Sequence, residues 1–265
     1  MSSLMLFIQW NPNPDFVSFG IYAIKWYGVL WGLSLIWTFW AQQFIWKQIG
    51  WNDEKVTLAI QYVFIGGLIG ARLGHIVFYD LEYYLSHPLD ILAVWKGGLA
   101  SHGGLAGGIL GLYLFSRNHR EFPFVPLFNY CAISVPLLAS LIRIGNLMNS
   151  ELVGTPTHVP WAFVFKQVDD IPRHPVVLYE SLAYFLLQII MLLVFMKYKQ
   201  SKTRLYPAIL FIGLFGARFV LEFFKVPDGG LLFGLVSKTQ MLNIPFILLG
   251  IWLLTKLTEP VIRPR

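Results

Sequence analysis

A guanidinium, two carboxamides and a carboxylate fall within one short run, RIGNLMNSELVG, from Arg143 to Gly154. Residues of these types can grip a phosphorylated ligand. Arginine forks bind phosphate oxygens bidentately and stay charged. The run follows Val135–Ile142, which reads as the end of an apolar helix. More charge falls where hydrocarbon is expected: Lys25, Arg72 and Arg218, with Glu151, Glu180 and Glu222 as acidic company. Such a side chain costs roughly 3 kcal/mol at a bilayer centre, so each needs a partner or a task. Arg218 and Glu222, four apart, can pair on one helix face. Duller duties compete. That pair could merely neutralise itself, Lys25 can snorkel to the interface, and Arg72 within GGLIGARLG could knit helices whose glycines permit close packing.

His102 stands in GGLASHGG, Gly97–Gly104, with glycines on both sides that leave its imidazole open to substrate. It is a candidate for catalysis or for substrate positioning. His174, in Arg173-His-Pro175, is a secondary candidate, whereas His75, His87, His119 and His158 have no company that argues for chemistry. There is no HExxH, no cysteine–histidine metal spacing, no phosphate loop and no G-x-S-x-G elbow. Neither metal nor cofactor is expected, and the chain lacks an activated nucleophile of its own.

The elements that must position these residues are membrane helices. The chain has 265 residues, of which 56% are hydrophobic and only 13% charged, and a mean hydropathy of +0.61. A soluble domain carries nearer a quarter charged residues. Seven apolar runs near the roughly 20 residues that span a bilayer are expected at about 19–44, 56–78, 97–115, 124–142, 176–196, 206–224 and 241–257. No cleavable signal peptide is visible, so the first run reads as a retained anchor. Alternate loops put eleven basic residues on one side (Lys47, Lys55, Arg117, Arg120, Lys197, Lys199, Lys202, Arg204, Lys256, Arg263, Arg265) against Lys96, Lys166, Arg173, Lys225 and Lys238 on the other. Positive loops stay inside, so the N-terminus is expected outside and the C-terminus in the cytoplasm. Arg72, His102, Arg143 and Glu222 then gather in the outer half, around a polar cavity. The net charge of +6 follows from topology and contact with anionic lipid headgroups, and nucleic acid need not be invoked. Cys131 excludes an intrachain disulfide and reads as a small core residue. No linker or repeat interrupts residues 1–265, which read as a single domain, and the stretch from about 146 to 175 reads as a small extracytoplasmic lobe turned by prolines.

The Arg143–Gly154 run resembles the signature of the prolipoprotein diacylglyceryl transferase family, G-R-x-G-N-F-[IL]-N-x-E-x-x-G. The resemblance extends in order through Trp26-Tyr27-Gly28, Gly70-Ala71-Arg72, Gly97-Gly98 with His102-Gly103-Gly104, Arg173-His174-Pro175, Leu178-Tyr179-Glu180, Arg218 with Glu222-Phe223-Phe224, Pro227-Asp228, and Gln240-Met241-Leu242 leading to Ile244-Pro245. Ile142, Leu147, Lys225 and Thr239 depart from the usual glycine, phenylalanine, arginine and glycine. The resemblance implies an all-α bacterial membrane transferase, of about seven transmembrane helices around an outward-leaflet cavity, in the cytoplasmic (inner) membrane. It moves the diacylglyceryl group of phosphatidylglycerol to the lipobox cysteine of a prolipoprotein, releasing glycerol 1-phosphate.

The missing nucleophile then arrives on the protein substrate. The resemblance implies that Arg143 holds the headgroup, Arg218 assists the leaving phosphate, and His102 either takes the thiol proton or positions the headgroup. Asn146, Glu151 and Gly154 would complete the phosphatidylglycerol site, joined by Tyr27, Arg72 and Glu222, with His174 and Tyr179 as secondary candidates. An arginine-lined transporter and an intramembrane protease are the rival classes. The first would be expected to show paired repeats, the second an aspartate pair or a serine nucleophile within the spans.

Overall fold

The computed structural model describes residues 7–20, 22–93, 97–226, 231–232 and 236–256. Lys96, Pro227-Asp228, Leu257, Arg263 and Arg265, named above, lie outside the described residues. The order is β1 (Ile8–Trp10), β2 (Asp15–Phe19), β3 (Tyr22–Lys25), α1 (Trp26–Ile49), α2 (Val56–Phe78), α3 (Leu81–Ser86), α4 (Ser101–Asn118), α5 (Phe124–Cys131), α6 (Val135–Met148), β4 (Phe163–Phe165), β5 (Pro172–Arg173), α7 (Val176–Tyr198), α8 (Leu205–Leu210), α9 (Gly216–Leu221), β6 (Leu231–Leu232), β7 (Val236–Ser237) and α10 (Lys238–Thr255).

The chain is mostly helical, and five helical stretches among the described residues are long and apolar enough to cross a membrane: Asp53–Phe78, Phe124–Met148, Val176–Tyr198, Leu205–Phe224 and Lys238–Thr255. α1 and α4 are not among them. Trp, Tyr and Gln dilute the hydropathy of α1, and α4 opens on Ser101-His102 and closes on Arg117-Asn118 around its glycines.

Four expectations need correction. The chain is not all-α, because among the described residues three small sheets accompany the helices. The first apolar run does not begin a helix at Phe19: a β2–β3 hairpin takes it through Lys25 before α1 starts. The third begins at Ser101, since Gly97 and Gly98 occupy a turn at φ of +88° and +77°, which glycine adopts without a Cβ penalty. Finally, Arg143 and Asn146 do not stand beyond a helix end, because α6 continues to Met148.

Internal contacts divide the chain into two compact units, one of residues up to Ala41 and from Cys131 onward, the other of Gln42–Tyr130. In the first, β1 pairs parallel to β4, with Ile8 opposite Phe163 and Trp10 opposite Phe165, and β5 pairs antiparallel to β4. Leu147, Phe163, Phe165 and Val177 form the buried heart of this lobe, with Trp10 packed against them. The Trp10 indole donates to the Leu147 carbonyl at 3.0 Å, so the sheet is tied to the last turn of α6.

α6 and α7 are held together by polar groups rather than by shape alone. The Ser140 hydroxyl donates to the Ser181 carbonyl at 2.9 Å, and Ser181 returns the bond to the Ser140 carbonyl at 3.1 Å. Farther along, the Gln188 side chain donates to the Ile133 carbonyl and accepts from the Leu137 amide. That amide lies in the opening turn of α6, where helical N–H groups lack helical partners.

In the second unit α2 and α4 pack backbone to backbone. A Cβ on Gly70 would lie 2.3 Å from the Gly103 carbonyl oxygen, and one on Gly107 would lie 2.1 Å from that of Gly66. Glycines at four-residue spacing on both helices make this contact possible. The aromatic core beside it is centred on buried Trp46, stacked on Phe122 at 4.8 Å and edge-on to Trp51 at 5.3 Å.

Candidate active site

The chemistry gathers in the first unit, where α6, α7, the end of α9 and the start of α10 contribute to one charged cluster. Ser140 is one helical turn before Arg143, and Ser181 is next to Glu180. The reciprocal serine bonds therefore set the register that brings Arg143 Nε to 2.7 Å from Glu180 Oε2. Lys225 reaches the other oxygen of that carboxylate, Oε1, at 2.8 Å. Glu180 is fully buried at 0% exposure, and Lys225 and Glu222 are each 8% exposed.

Glu222 does not pair with Arg218, contrary to the i,i+4 expectation. α9 tightens into a 3-10 turn at Glu222–Phe224, where residues three apart eclipse. Glu222 accordingly faces Lys225, at 3.9 Å, and accepts a 2.9 Å bond from the Ser237 hydroxyl. Ser237 is itself the N-cap of α10, closing a capping box with Gln240. Upstream of α9 the helix widens into a π turn over Phe211–Phe215, a distortion frequent at functional sites.

Charge alternates along the row Arg143, Glu180, Lys225, Glu222, so those four cancel. Arg218 is left over, and its Nε is buried with no hydrogen-bond partner among the described residues. It lines a pocket of about 350 Å³ with Leu152, Val153, Arg173, Glu222, Lys225, Val226 and Thr239. Arg173 is committed elsewhere: its guanidinium holds Asp169 at 2.6 Å and donates to the Gly154 carbonyl at 3.1 Å. That contact keeps the Asp169 carboxyl below its ordinary value of 3.8.

The signature run forms a relay. Arg143 Nη1 donates to the Asn146 carboxamide oxygen at 3.1 Å, Asn146 Nδ2 donates to Glu151 at 2.7 Å, and Asn149 donates to the other Glu151 oxygen at 3.0 Å. Ser150 and Leu152 flank Glu151 at φ of +53° and +55°, a region costing an L-residue roughly 1–2 kcal/mol. The turn is thus strained to aim the carboxylate back at α6. Gly154 is required by close packing: a Cβ there would lie 2.3 Å from the His174 carbonyl oxygen and 2.7 Å from Val176. Tyr27 presses its ring on Gly145, where a Cβ would come within 2.8 Å. The His174 ring meets Tyr179 Oη at 3.3 Å and Phe224 edge-on at 5.1 Å, and burial pushes its pKa below 6.5. Tyr179 also accepts from the Trp161 indole at 2.7 Å.

Arg143, Asn146, Glu151, Gly154, Arg218, Glu222, Tyr27, His174 and Tyr179 therefore share the first unit, and Arg72 and His102 belong to the second. His102 is exposed on the first turn of α4 with no hydrogen-bond partner among the described residues. Arg72 is not free to bind a headgroup. All five of its N–H donors go to backbone carbonyls, those of Asp90, Ile91, Ala93, Gly97 and Gly98, and its charge lies 4.9 Å from the Tyr84 ring centroid. Sequence reasoning left Lys225 and Glu180 out of the site, although an acid within an apolar helix was a signal for Glu180.

The family profile described as "Prolipoprotein diacylglyceryl transferase" matches residues 14–256. The chain belongs to the prolipoprotein diacylglyceryl transferase family. Proteins named "Phosphatidylglycerol--prolipoprotein diacylglyceryl transferase" are similar over nearly their whole length. That of Tolumonas auensis is 41% identical over 94% of this chain and 96% of its own. The one from Chloroherpeton thalassium is 40% identical over 94% and 93%, and the one from Bacteroides fragilis is 38% identical over 95% and 96%. For a member of this bacterial membrane transferase family, the polar row is notable because it includes Lys225, one of the departures from the signature pattern.

Proposed function

We propose that this protein transfers the diacylglyceryl group of phosphatidylglycerol to the thiol of a prolipoprotein's lipobox cysteine, forming a thioether and releasing glycerol 1-phosphate. This is the opening step of bacterial lipoprotein maturation. Beside family membership, the observation that supports the reading is Arg218, whose Nε is buried with no hydrogen-bond partner among the described residues and which lines a pocket of about 350 Å³. A guanidinium with an unsatisfied donor in a pocket wall suits an anion, and the phosphate of an anionic phospholipid supplies one.

Arg143 commits Nε to Glu180 and Nη1 to Asn146, which leaves donors for the headgroup phosphate. Asn146, oriented by Glu151, serves the glycerol hydroxyls, and Gly154, Tyr27, His174, Tyr179 and Glu222 shape the surroundings. The thiolate sulfur forms a bond to the glycerol methylene carbon as the carbon–oxygen bond to phosphate breaks. The electron pair leaves with glycerol 1-phosphate, and Arg218 stabilises the charge that develops there. His102, exposed and without a hydrogen-bond partner among the described residues, receives the thiol proton, because only the thiolate is nucleophilic. α1 and α4 join the five long apolar helices to make seven crossings around an outward-facing cavity. The whole chain works as one transferase domain in the bacterial cytoplasmic membrane, with its N-terminus outside and its C-terminus in the cytoplasm, as the basic loops require.

The test uses the purified full chain in detergent with phosphatidylglycerol and a lipobox peptide carrying one cysteine. Mass spectrometry is expected to detect a diacylglyceryl adduct on the thiol, absent with phosphatidylethanolamine and reduced about 1,000-fold by Arg143→Ala. No adduct from folded, lipid-bound protein, or full turnover by Arg143→Ala, overturns the reading.

A further inference from the structure

We infer that Glu180 is a positioning residue for the transfer, one that fixes the Arg143 guanidinium from behind while Lys225 holds the other carboxylate oxygen in place. The inference builds on the function proposed above and gives a role to two residues which that mechanism does not use.

The argument starts from cost. A carboxylate with 0% exposure is costly in a low-dielectric interior unless cations pair with it. Here it is shared, with Oε2 facing Arg143 Nε at 2.7 Å and Oε1 accepting from Lys225 Nζ at 2.8 Å. The two cations come from different elements, α6 and the segment after α9. Neither could approach the other so closely without the anion between them.

The atom used matters as much as the distance. The 2.7 Å ion pair at Nε sets one edge of the guanidinium against Glu180 and leaves the opposite edge free of that carboxylate. Nη1 is then tuned by Asn146, at 3.1 Å, and the buried Tyr184 hydroxyl interacts with the same guanidinium. An arginine ion-paired through Nε with a buried carboxylate is restrained from turning that edge to a phosphate. The bound geometry is therefore chosen before substrate arrives, and preorganised donors are what lower a barrier. Lysine at 225 brings a single point charge that reaches one oxygen, and the other oxygen faces Arg143.

A merely structural salt bridge and a positioning device make different predictions, and the serine clamp beside them helps separate the two. Ser140 and Ser181 hold α6 against α7 independently of charge, so Glu180→Gln retains the helix pairing and an acceptor for one cation. Its expected signature is a fall in kcat of about 100-fold, the scale of a misplacement near 1 Å, with KM for phosphatidylglycerol changed less than threefold. Lys225→Met should lower kcat, whereas Lys225→Arg, which brings back the residue usual at this position, should keep it. The double variant Glu180→Gln with Lys225→Met, which removes both charges together, should regain thermal stability without regaining kcat.

An activity-free measurement runs alongside. In full-length protein labelled with nitrogen-15 arginine, the Arg143 Nε–H resonance should exchange slowly with solvent. In Glu180→Gln its protection should fall at least tenfold, with helical circular dichroism unchanged. The inference is overturned if Glu180→Gln keeps wild-type kcat, if the double variant regains activity in step with stability, or if Nε–H protection does not change. A wild-type protein that forms no thioether adduct sinks the transferase reading instead, and the exchange measurement still reports on the Glu180 contact.

Discussion

Arg72 and Arg143 are both basic residues within apolar helices, but the protein surrounds them in opposite ways. Arg72 meets backbone: five carbonyls from the segment after α3 and the glycine turn before α4 take every donor it has, and Tyr84 lies against its charge. Arg143 meets side chains, Glu180 at one corner and Asn146 at another, and its donors are not exhausted. A saturated guanidinium is a building element, because any ligand would have to displace bonds already made. An unsaturated one, held by a buried acid, is a tool. Presence of an arginine in a membrane helix does not distinguish these cases; the count of donors left over does.

The sharpest break of the comparison is Arg72→Met. It strands five carbonyls in the interior and should destabilise the protein by about 4 kcal/mol, measured as a lower thermal midpoint in detergent and a smaller folded fraction. If Arg72 were instead a ligand-binding residue, stability would hold while KM for phosphatidylglycerol rose. Next in size is Arg218→Lys. It keeps the surplus charge but loses the fork, and kcat for adduct formation should fall about 100-fold; an unchanged kcat would remove Arg218 from the leaving-group role.

The Ser140→Ala, Ser181→Ala pair should cost about 1–2 kcal/mol of stability. It should also loosen Arg143 enough to lower kcat several-fold, both read on the same samples. The smallest effect concerns acid. Since the folded-state pKa of His174 lies below 6.5, the unfolded chain binds the extra proton first, and stability should begin to fall as the pH drops below that value. Asp169, held down by Arg173, gives its full stabilisation above 3.8 and loses it as the pH falls through its lower folded value. A urea series at descending pH should therefore lose stability in two windows, and Asp169→Asn should erase the lower one.

Much of this was legible in the sequence, and what was missed has physical reasons. Hydropathy located the long apolar helices, because burial in hydrocarbon leaves a run of apolar residues. The RIGNLMNSELVG run carried its own relay, since Arg143, Asn146 and Glu151 contact one another over a few residues. The Arg218–Glu222 pairing failed because a 3-10 turn replaces the α-helical spacing at Glu222, and no residue type announces that change. Arg72 could not be read correctly, because its partners are carbonyls, which every sequence possesses equally. Lys225 was visible only as an exception to a pattern, and its partner Glu180 lies 45 positions away. The three residues of β1 carry too little periodicity to reveal a strand whose neighbour is β4.

That last pairing has a consequence for how the molecule is made. Ile8–Trp10 can complete its sheet only against Phe163–Phe165, and the Gln167 side chain reaches the Pro12 carbonyl across 155 positions. At about 5–20 residues per second of synthesis, the first strand waits roughly ten to thirty seconds for its partner. Every helix from α1 to α6 is produced in that interval. The first strand thus finds its place only after α1 to α6 have been made, and the lobe that packs on the end of α6 records that these helices have already been delivered.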